Sequence, residues 1–205
     1  MSNNNVLQFI ADSDHRDAYE GDADLRFIPN PDLASNAINT DDAIEGVEFK
    51  FQVQHPPLVD ADILSVELGH GNMPVISQKM TKVIEDLGGK LLKYPALIDP
   101  APPQQYYVVQ LPVIDAIDWE NSEYNTDDLH VFRNGEKLIA HIRKYAFDKP
   151  IGELPPVFRL RGNPYPMLMR SDVRDVFRQQ GVRGVAFMNA GSFSKTNQFY
   201  TDIPV

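Results

Sequence analysis

The chain has 205 residues, of which 42% are hydrophobic and 23% charged, and its formal net charge is −10. These values are typical of a globular protein large enough for one well-packed core. Because the chain contains no cysteine, the sequence excludes disulfides, thiolate metal sites and cysteine nucleophiles.

The charge is distributed unevenly along the chain. Residues 1–48 have a formal charge of −9, residues 49–132 of −7 and residues 133–205 of +6. Such asymmetry affects partner choice and association rate more than fold, although it is also compatible with a surplus that only keeps the protein soluble. Nucleic-acid binding is disfavoured, because Asp172 and Asp175 interrupt the arginines near the end of the chain and no nucleic-acid motif accompanies them.

The first 44 residues predict an acidic, largely irregular lead-in, rich in Asp, Asn, Pro and Ala. Residues 1–5 carry no positive charge, and no apolar run reaches the length of a membrane span. We therefore expect neither a signal peptide nor a membrane partner, and a cytoplasmic location.

Two strands are predicted next. Residues 47–53 alternate apolar and polar side chains, as a strand with one buried face does, and residues 63–68 form a second run, which ends at the glycines of residues 69–71. The prolines at positions 95, 100, 102 and 103 predict a stiff loop rather than a regular element.

A pattern that recurs at residues 74–95 and 167–188 is the most informative feature. Each unit is a one-sided helix, a glycine turn and a short strand, with Ser77 and Gly88 bounding the first helix and Ser171 and Gly181 bounding the second. Neither unit can bury its apolar face alone, so both are expected to pack on a shared sheet.

Further strands are predicted at residues 106–111 and 157–160, and Asn134-Gly135 predicts a hairpin between residues 131–133 and 137–140. Two helices and six or more strands indicate an α+β (mixed α/β) fold. In it, the two duplicated units pack on a mixed or antiparallel sheet within a single domain, residues 45–205.

Catalytic patterns are missing from the sequence. There is no G-x-S-x-G, Walker loop, G-x-G-x-x-G or H-E-x-x-H motif, and we expect no cofactor and no metal. His70, between two glycines, and His130 leave open a hydrolase or a modification-reversing enzyme as an alternative.

Six carboxylates lie between Asp115 and Asp128, with the only tryptophan of the chain, Trp119, and Tyr124 among them. Their spacing does not fit an EF-hand. Aromatic residues among acidic ones are typical of a protein-binding hot spot with a polar rim, but Trp119 could equally be a structural anchor for the loop.

Several segments, in this order, resemble one family. They are Met73-Pro74-Val75-Ile76-Ser77, Tyr106-Tyr107-Val108-Val109, Asp115-Ala116-Ile117-Asp118, Val157-Phe158-Arg159-Leu160-Arg161-Gly162 and Gly181-Val182-Arg183-Gly184-Val185-Ala186-Phe187. The chain is similar, over roughly residues 45–190, to immunity-protein family eleven of bacterial polymorphic toxin systems. The matching Phe158-Arg159, Gly181, Gly184 and Phe187 look structural rather than catalytic.

The resemblance implies a cytoplasmic, non-catalytic protein that binds and neutralises a cognate toxin encoded by a neighbouring gene. If that toxin is a nuclease, acidic side chains of this chain would bind its basic cleft in place of phosphates. Attraction between the opposite charges would also raise the association rate. The expected toxin-binding residues are Asp12, Asp14, Asp17, Glu20, Asp22, Asp24, Asp118, Trp119, Glu120 and Tyr124. An adaptor or structural binding protein without a toxin partner is a further alternative.

Overall fold

The computed structural model describes residues 6–11, 24–28, 43–44, 48–54, 60–64, 66–67 and 74–190. The strands are β1 (Val6–Ala11), β2 (Leu25–Ile28), β3 (Phe49–Val53), β4 (Ile63–Leu64), β5 (Val66–Glu67), β6 (Val75–Ser77), β7 (Leu92–Asp99), β8 (Tyr106–Gln110), β9 (Val113–Ile114), β10 (Glu123–Tyr124), β11 (His130–Val131), β12 (Lys137–Leu138), β13 (Ile142–Lys144), β14 (Val157–Leu160), β15 (Asn163–Arg170) and β16 (Val185–Asn189). The helices are α1 (Gln78–Asp86) and α2 (Ser171–Gln179).

One sheet has the strand order β16-β1-β15-β14-β9 among the described residues and is covered on both faces. Along β15 the side chains alternate between the two faces. Met167 and Met169 join a core that contains both helices, whereas Leu168 joins a second core with residues of the segment between β9 and β14. The sheet therefore separates a helical layer from a smaller, mostly irregular layer.

The other sheet has the order β4-β6-β8-β7-β3-β2-β5 among the described residues. Its two edge strands, β4 and β5, are separated by only one residue in the chain, so the sheet must curl until its edges approach each other. Large apolar side chains, among them Leu25, Phe49 and Phe51, fill the interior of the curl. Ile63, Ile76 and Val109 face the other way and pack against the helical layer.

Both helices lie between these sheets and end at glycines with a positive φ, 86° at Gly88 and 62° at Gly181. Ser77 is the N-cap of α1, and its hydroxyl accepts a hydrogen bond from the Met80 amide at 3.1 Å. The prediction that Ser171 caps α2 was wrong, because Arg170 occupies the N-cap position and Ser171 is the first helical residue. Duplication of the two units remains a prediction.

The mixed α+β fold is confirmed, and the strands expected near residues 47–53, 106–111 and 157–160 are present. Residues 63–68, expected to form one strand, instead contribute β4 and β5, which lie at opposite edges of one sheet. The other features that the sequence did not indicate concern the lead-in and Pro95. The lead-in contains two strands, β1 and β2, and β1 lies between two other strands of its sheet. These strands form because the short apolar runs of the lead-in are buried by strands that are distant in the sequence. Pro95 lies inside β7, where it marks a change of neighbour: β7 pairs with β8 up to Pro95 and with β3 from Ala96 onwards.

Within the described part of the chain, neither helix has the length and hydropathy that a membrane span requires.

Candidate protein-binding surface

The segment of residues 115–154, here called the lobe, covers one face of the β16-β1-β15-β14-β9 sheet. Its apolar residues Ala116, Ile117, Ile139, Ile142, Tyr145 and Leu154 pack on Phe158, Leu160 and Leu168 of the sheet. Short elements connected by turns make up the rest of the lobe, so many of its polar side chains are at the surface.

The acidic loop, residues 115–128, begins with a turn organised by Asp118. One carboxylate oxygen accepts hydrogen bonds from the amides of Glu120 and Asn121, each at 3.1 Å, and the other accepts one from the Asn121 side chain at 2.7 Å. These bonds, chiefly that from the Asn121 side chain, lower the pKa of Asp118 below its usual value. Asp118 therefore shapes the turn that presents its neighbours.

Trp119 is half-buried and is held from several sides. Its ring packs edge-on against Tyr124, with centroids 5.7 Å apart, and the Lys137 ammonium lies 5.2 Å from the centroid. The Tyr124 hydroxyl donates a hydrogen bond to the Trp119 carbonyl at 3.3 Å. Both aromatic residues thus brace the acidic loop against the rest of the lobe.

The exposed carboxylates of this loop include Glu120, Asp127 and Asp128. The last two form a short 3-10 turn, Thr126–Asp128, started by the Asn125 side chain, which accepts a hydrogen bond from the Asp127 amide at 3.2 Å. Glu123 is paired with Lys144 at 2.8 Å. Residues 115–128 contain no Lys or Arg and have a formal charge of −6, so the loop is the most acidic stretch of the described surface.

The helical layer on the opposite side of the sheet carries the reverse charge. Residues 74–93 and 170–183 together have a formal charge of +4, which Asp60 and Asp62, bound to Arg183 and Lys79 of this layer, reduce to +2. Several of their cations bind neighbouring carboxylates, as Lys82 does with Asp86 at 2.8 Å and Lys93 with Glu85 at 2.6 Å. The described part of the molecule is therefore electrically polarised across the sheet.

The predicted Asn134-Gly135 hairpin is confirmed and projects from the lobe. β11 and β12 pair antiparallel, and the turn is closed by the Gly135 amide, which donates to the Phe132 carbonyl at 2.9 Å. All residues from 130 to 137 are exposed. Two of them are large and apolar, Val131 at 55% exposure and Phe132 at 43%.

The base of this hairpin is anchored by the fully buried Asn163. Its amide nitrogen donates to the carbonyls of Ile139 at 2.8 Å and Ala140 at 3.0 Å, and its amide oxygen accepts from the Tyr145 hydroxyl at 2.6 Å. Burial raises the pKa of the Tyr145 phenol above its usual value. The hairpin thus combines a fixed base with an exposed tip.

The expected binding residues have different positions. Asp12, Asp14, Asp17, Glu20 and Asp22 lie outside the described residues, as does His70. Asp24 is only 8% exposed, so it offers little surface to a partner. Asp118, Trp119, Glu120 and Tyr124 lie together in the acidic loop. His130 is exposed, and its ring packs edge-on against Phe132 with centroids 4.5 Å apart.

The exposed pair Val131 and Phe132 was not among the expected binding residues. The sequence did contain a signal of their exposure, because the two residues lie shortly before an Asn-Gly turn. A hairpin tip has few neighbouring residues that could bury apolar side chains.

A second apolar region lies where β7 separates from β8. It is a groove of about 510 Å³ lined by Ile28, Phe51, Ala96–Asp99, Pro102 and Tyr106, among others, with Lys50 and Gln104 at its polar positions. Leu97, 48% exposed, lies at this groove.

Among the described residues, no group of three or more His, Asp or Glu side chains is arranged to hold a metal ion.

A family model described as an immunity protein family (Imm11) matches residues 13–192. The match extends further towards the N-terminus than the expected residues 45–190, so most of the acidic lead-in is part of the matched region. A search of curated proteins finds no match to the chain.

Proposed function

Since the chain belongs to the immunity protein family Imm11, we propose that it acts in the cytoplasm by binding a cognate bacterial toxin, encoded by a neighbouring gene, and neutralising it by direct, non-catalytic occlusion. The family match over residues 13–192 is the observation that carries this proposal.

The charge polarity of the described residues supports a particular orientation. The acidic loop presents Glu120, Asp127 and Asp128 on the side of the sheet away from the basic helical layer. A toxin that acts on nucleic acid needs a basic cleft for the phosphates, and carboxylates from this loop would occupy that cleft and accelerate association. The proposed partner is therefore a nuclease-type toxin with a basic working surface.

Co-expression with the product of the neighbouring gene tests the function. The chain is expected to rescue growth, to co-purify with the toxin in a fixed ratio, and to protect only up to that ratio, because an occluding inhibitor is used up as it binds. Protection by amounts far below the toxin would indicate catalysis instead and would contradict the proposal, as would growth arrest despite full expression of the chain.

Charge reversal tests the orientation separately. Glu120→Lys with Asp127→Lys and Asp128→Lys is expected to lower the association rate about 10-fold or more and to weaken its dependence on salt. The matched control reverses the same number of charges on the helical layer, with Lys82→Glu, Lys90→Glu and Arg174→Glu. Equal effects of the two triple variants would refute an acidic contact face while leaving the immunity role intact.

A further inference from the structure

We infer that the tip of the hairpin, Val131 and Phe132, is the apolar centre of the toxin-binding surface and inserts into an apolar pocket with a basic rim on the toxin. This inference rests on the proposed function and adds to it the residues that dominate the affinity. It assigns the central role to Phe132 instead of to Trp119.

The first observation is exposure without a structural purpose. Val131 and Phe132 have 55% and 43% of their surface in solvent, although Leu138 and Ile139 at the base of the same hairpin are partly or fully buried. Exposed apolar side chains cost solvation free energy that burial in a partner would recover, at roughly 25 cal/mol per Å². Clustered at a projecting tip, they are typical of a contact site.

The second observation is that the tip is held in place before any partner binds. Asn163 fixes the hairpin base through Ile139 and Ala140, the Phe132 amide donates to the Glu136 carbonyl at 2.8 Å, and His130 packs against the Phe132 ring. A side chain that is already oriented loses less conformational entropy on binding, so more of its contact energy appears as affinity.

The third observation concerns the surrounding charge. Asp127 and Asp128 precede the hairpin directly, and Glu136 lies in its turn, opposed by Arg133 and Lys137. Lys137 is already engaged over the Trp119 ring, and the lobe as a whole, residues 115–154, has a formal charge of −4. Residues 127–137 thus hold three carboxylates against two cations, so the surroundings of the apolar tip are weakly acidic overall, which is complementary to an apolar pocket bordered by Lys and Arg.

Trp119 is less suited to this role, because Tyr124 and Lys137 already cover its ring. The structure thus separates two tasks that the sequence left together: Trp119 supports the loop, and Phe132 contacts the partner.

The test uses the full chain and, as the probe, the product of the neighbouring gene. Phe132→Ala and Val131→Ala are compared with Leu97→Ala and Tyr165→Ala, which remove similarly exposed apolar side chains (48% and 55% exposure) elsewhere. Equal unfolding midpoints for all four variants establish that each is folded. Phe132→Ala is expected to raise the Kd about 30-fold or more, mainly through faster dissociation, whereas both controls stay within about threefold.

Each result has a distinct meaning. Binding of Phe132→Ala within threefold of the unsubstituted chain overturns the inference and leaves the proposed function standing. A large loss with Leu97→Ala instead assigns the contact to the groove and also overturns it. No binding by the unsubstituted chain overturns the proposed function itself, and with it the inference.

Discussion

The carboxylate of Asp62 and the hydroxyl of Ser77 are joined by a buried hydrogen bond of 2.5 Å, Oδ1 to Oγ. Ser77 begins α1, and the second oxygen of Asp62 accepts a hydrogen bond at 2.8 Å from the amide of Arg183, just after α2. The Lys79 ammonium lies 3.4 Å from the same oxygen. One carboxylate, 4% exposed, thereby ties the start of the first helix to the end of the second.

Removing this carboxylate is expected to destabilise the protein strongly. Asp62→Ala should lower the free energy of unfolding by about 3 kcal/mol, because it leaves the Arg183 amide and the Ser77 hydroxyl without their acceptor in a buried site. Ser77→Ala should cost about 1–2 kcal/mol through loss of the N-cap. Urea unfolding measures both.

The double variant provides the sharper measurement. Because the two residues share one hydrogen bond, Asp62→Ala with Ser77→Ala should cost clearly less than the two single effects added together. Lys82→Ala, which removes an exposed ion pair with Asp86, should cost less than about 0.5 kcal/mol. Strict additivity of the Asp62 and Ser77 effects would show that the bond contributes nothing.

Asn163 is expected to be as important for the lobe as Asp62 is for the helices. Asn163→Ala leaves the Ile139 and Ala140 carbonyls and the Tyr145 hydroxyl unsatisfied in a buried site, at a cost of about 3 kcal/mol. Tyr145→Phe removes only one of these bonds and should cost about 1 kcal/mol.

Hydrogen exchange locates this effect. The amides of residues 137–145 should lose protection more than those of α1 and α2, because local opening follows the bonds that are lost. The exposed Asn189 is a matched control, and Asn189→Ala should change stability by less than about 0.5 kcal/mol. Uniform loss of protection across the chain would contradict a local role for Asn163.

Local patterns predicted the parts of this fold whose stabilising contacts are close in sequence. The apolar spacing from Ile76 to Leu87 indicated α1, and Asn134-Gly135 indicated the hairpin. Both predictions were possible because a helix face and a tight turn are each determined by residues close together in the sequence. β1 was missed, because its six residues become a strand only through pairing with β15 and β16, more than 150 residues away.

The candidate site shows the same limit. Sequence alone placed Trp119 among acids but could not indicate what holds its ring, because Lys137 and Gly162 approach it from other parts of the chain. The role of Asp62 could not be predicted either, because its carboxylate accepts a hydrogen bond from the amide of Arg183, which is 121 residues away in the sequence. Burial of Asp24 could not be foreseen within an acidic segment.

Gly162 permits the close packing of Trp119. Its φ is +86°, and a Cβ there would lie 2.7 Å from the Lys137 carbonyl oxygen and 2.8 Å from the Trp119 ring. Gly162→Ala should therefore cost about 2–3 kcal/mol and shift the fluorescence of Trp119, the only tryptophan. Gly152→Ala is the control: no atom lies within 4 Å of its Cβ position, and stability should be unchanged or slightly higher. Unaltered fluorescence in Gly162→Ala would refute the contact.

Stability should depend on pH through Asp172 in the first turn of α2. Arg170 binds its carboxylate with two hydrogen bonds, of 3.0 and 2.8 Å, and these lower the pKa of Asp172. Because the folded pKa lies below the unfolded one, the carboxylate stabilises the fold above its unfolded pKa, near 4, and this contribution is lost as the pH falls through the folded pKa. Solvent exposure of the Asp172 side chain, 60%, limits the contribution to about 1 kcal/mol or less.

Asp172→Asn should consequently lower the free energy of unfolding at pH 7, and the difference from the unsubstituted chain should shrink as the pH is lowered from 5 towards 2. Urea titrations at several pH values measure it. In the Asp172→Asn background, Arg170→Gln removes the hydrogen bond to the Leu154 carbonyl and leaves no titrating carboxylate opposite residue 170, so its effect should be the same at pH 7 and pH 3. If the Asp172→Asn difference stays constant across this range, the ion pair with Arg170 does not stabilise the start of α2. Such a result would also exclude an interaction of the carboxylate with the helix N-terminus as the source of the stabilisation, because both interactions require the negative charge.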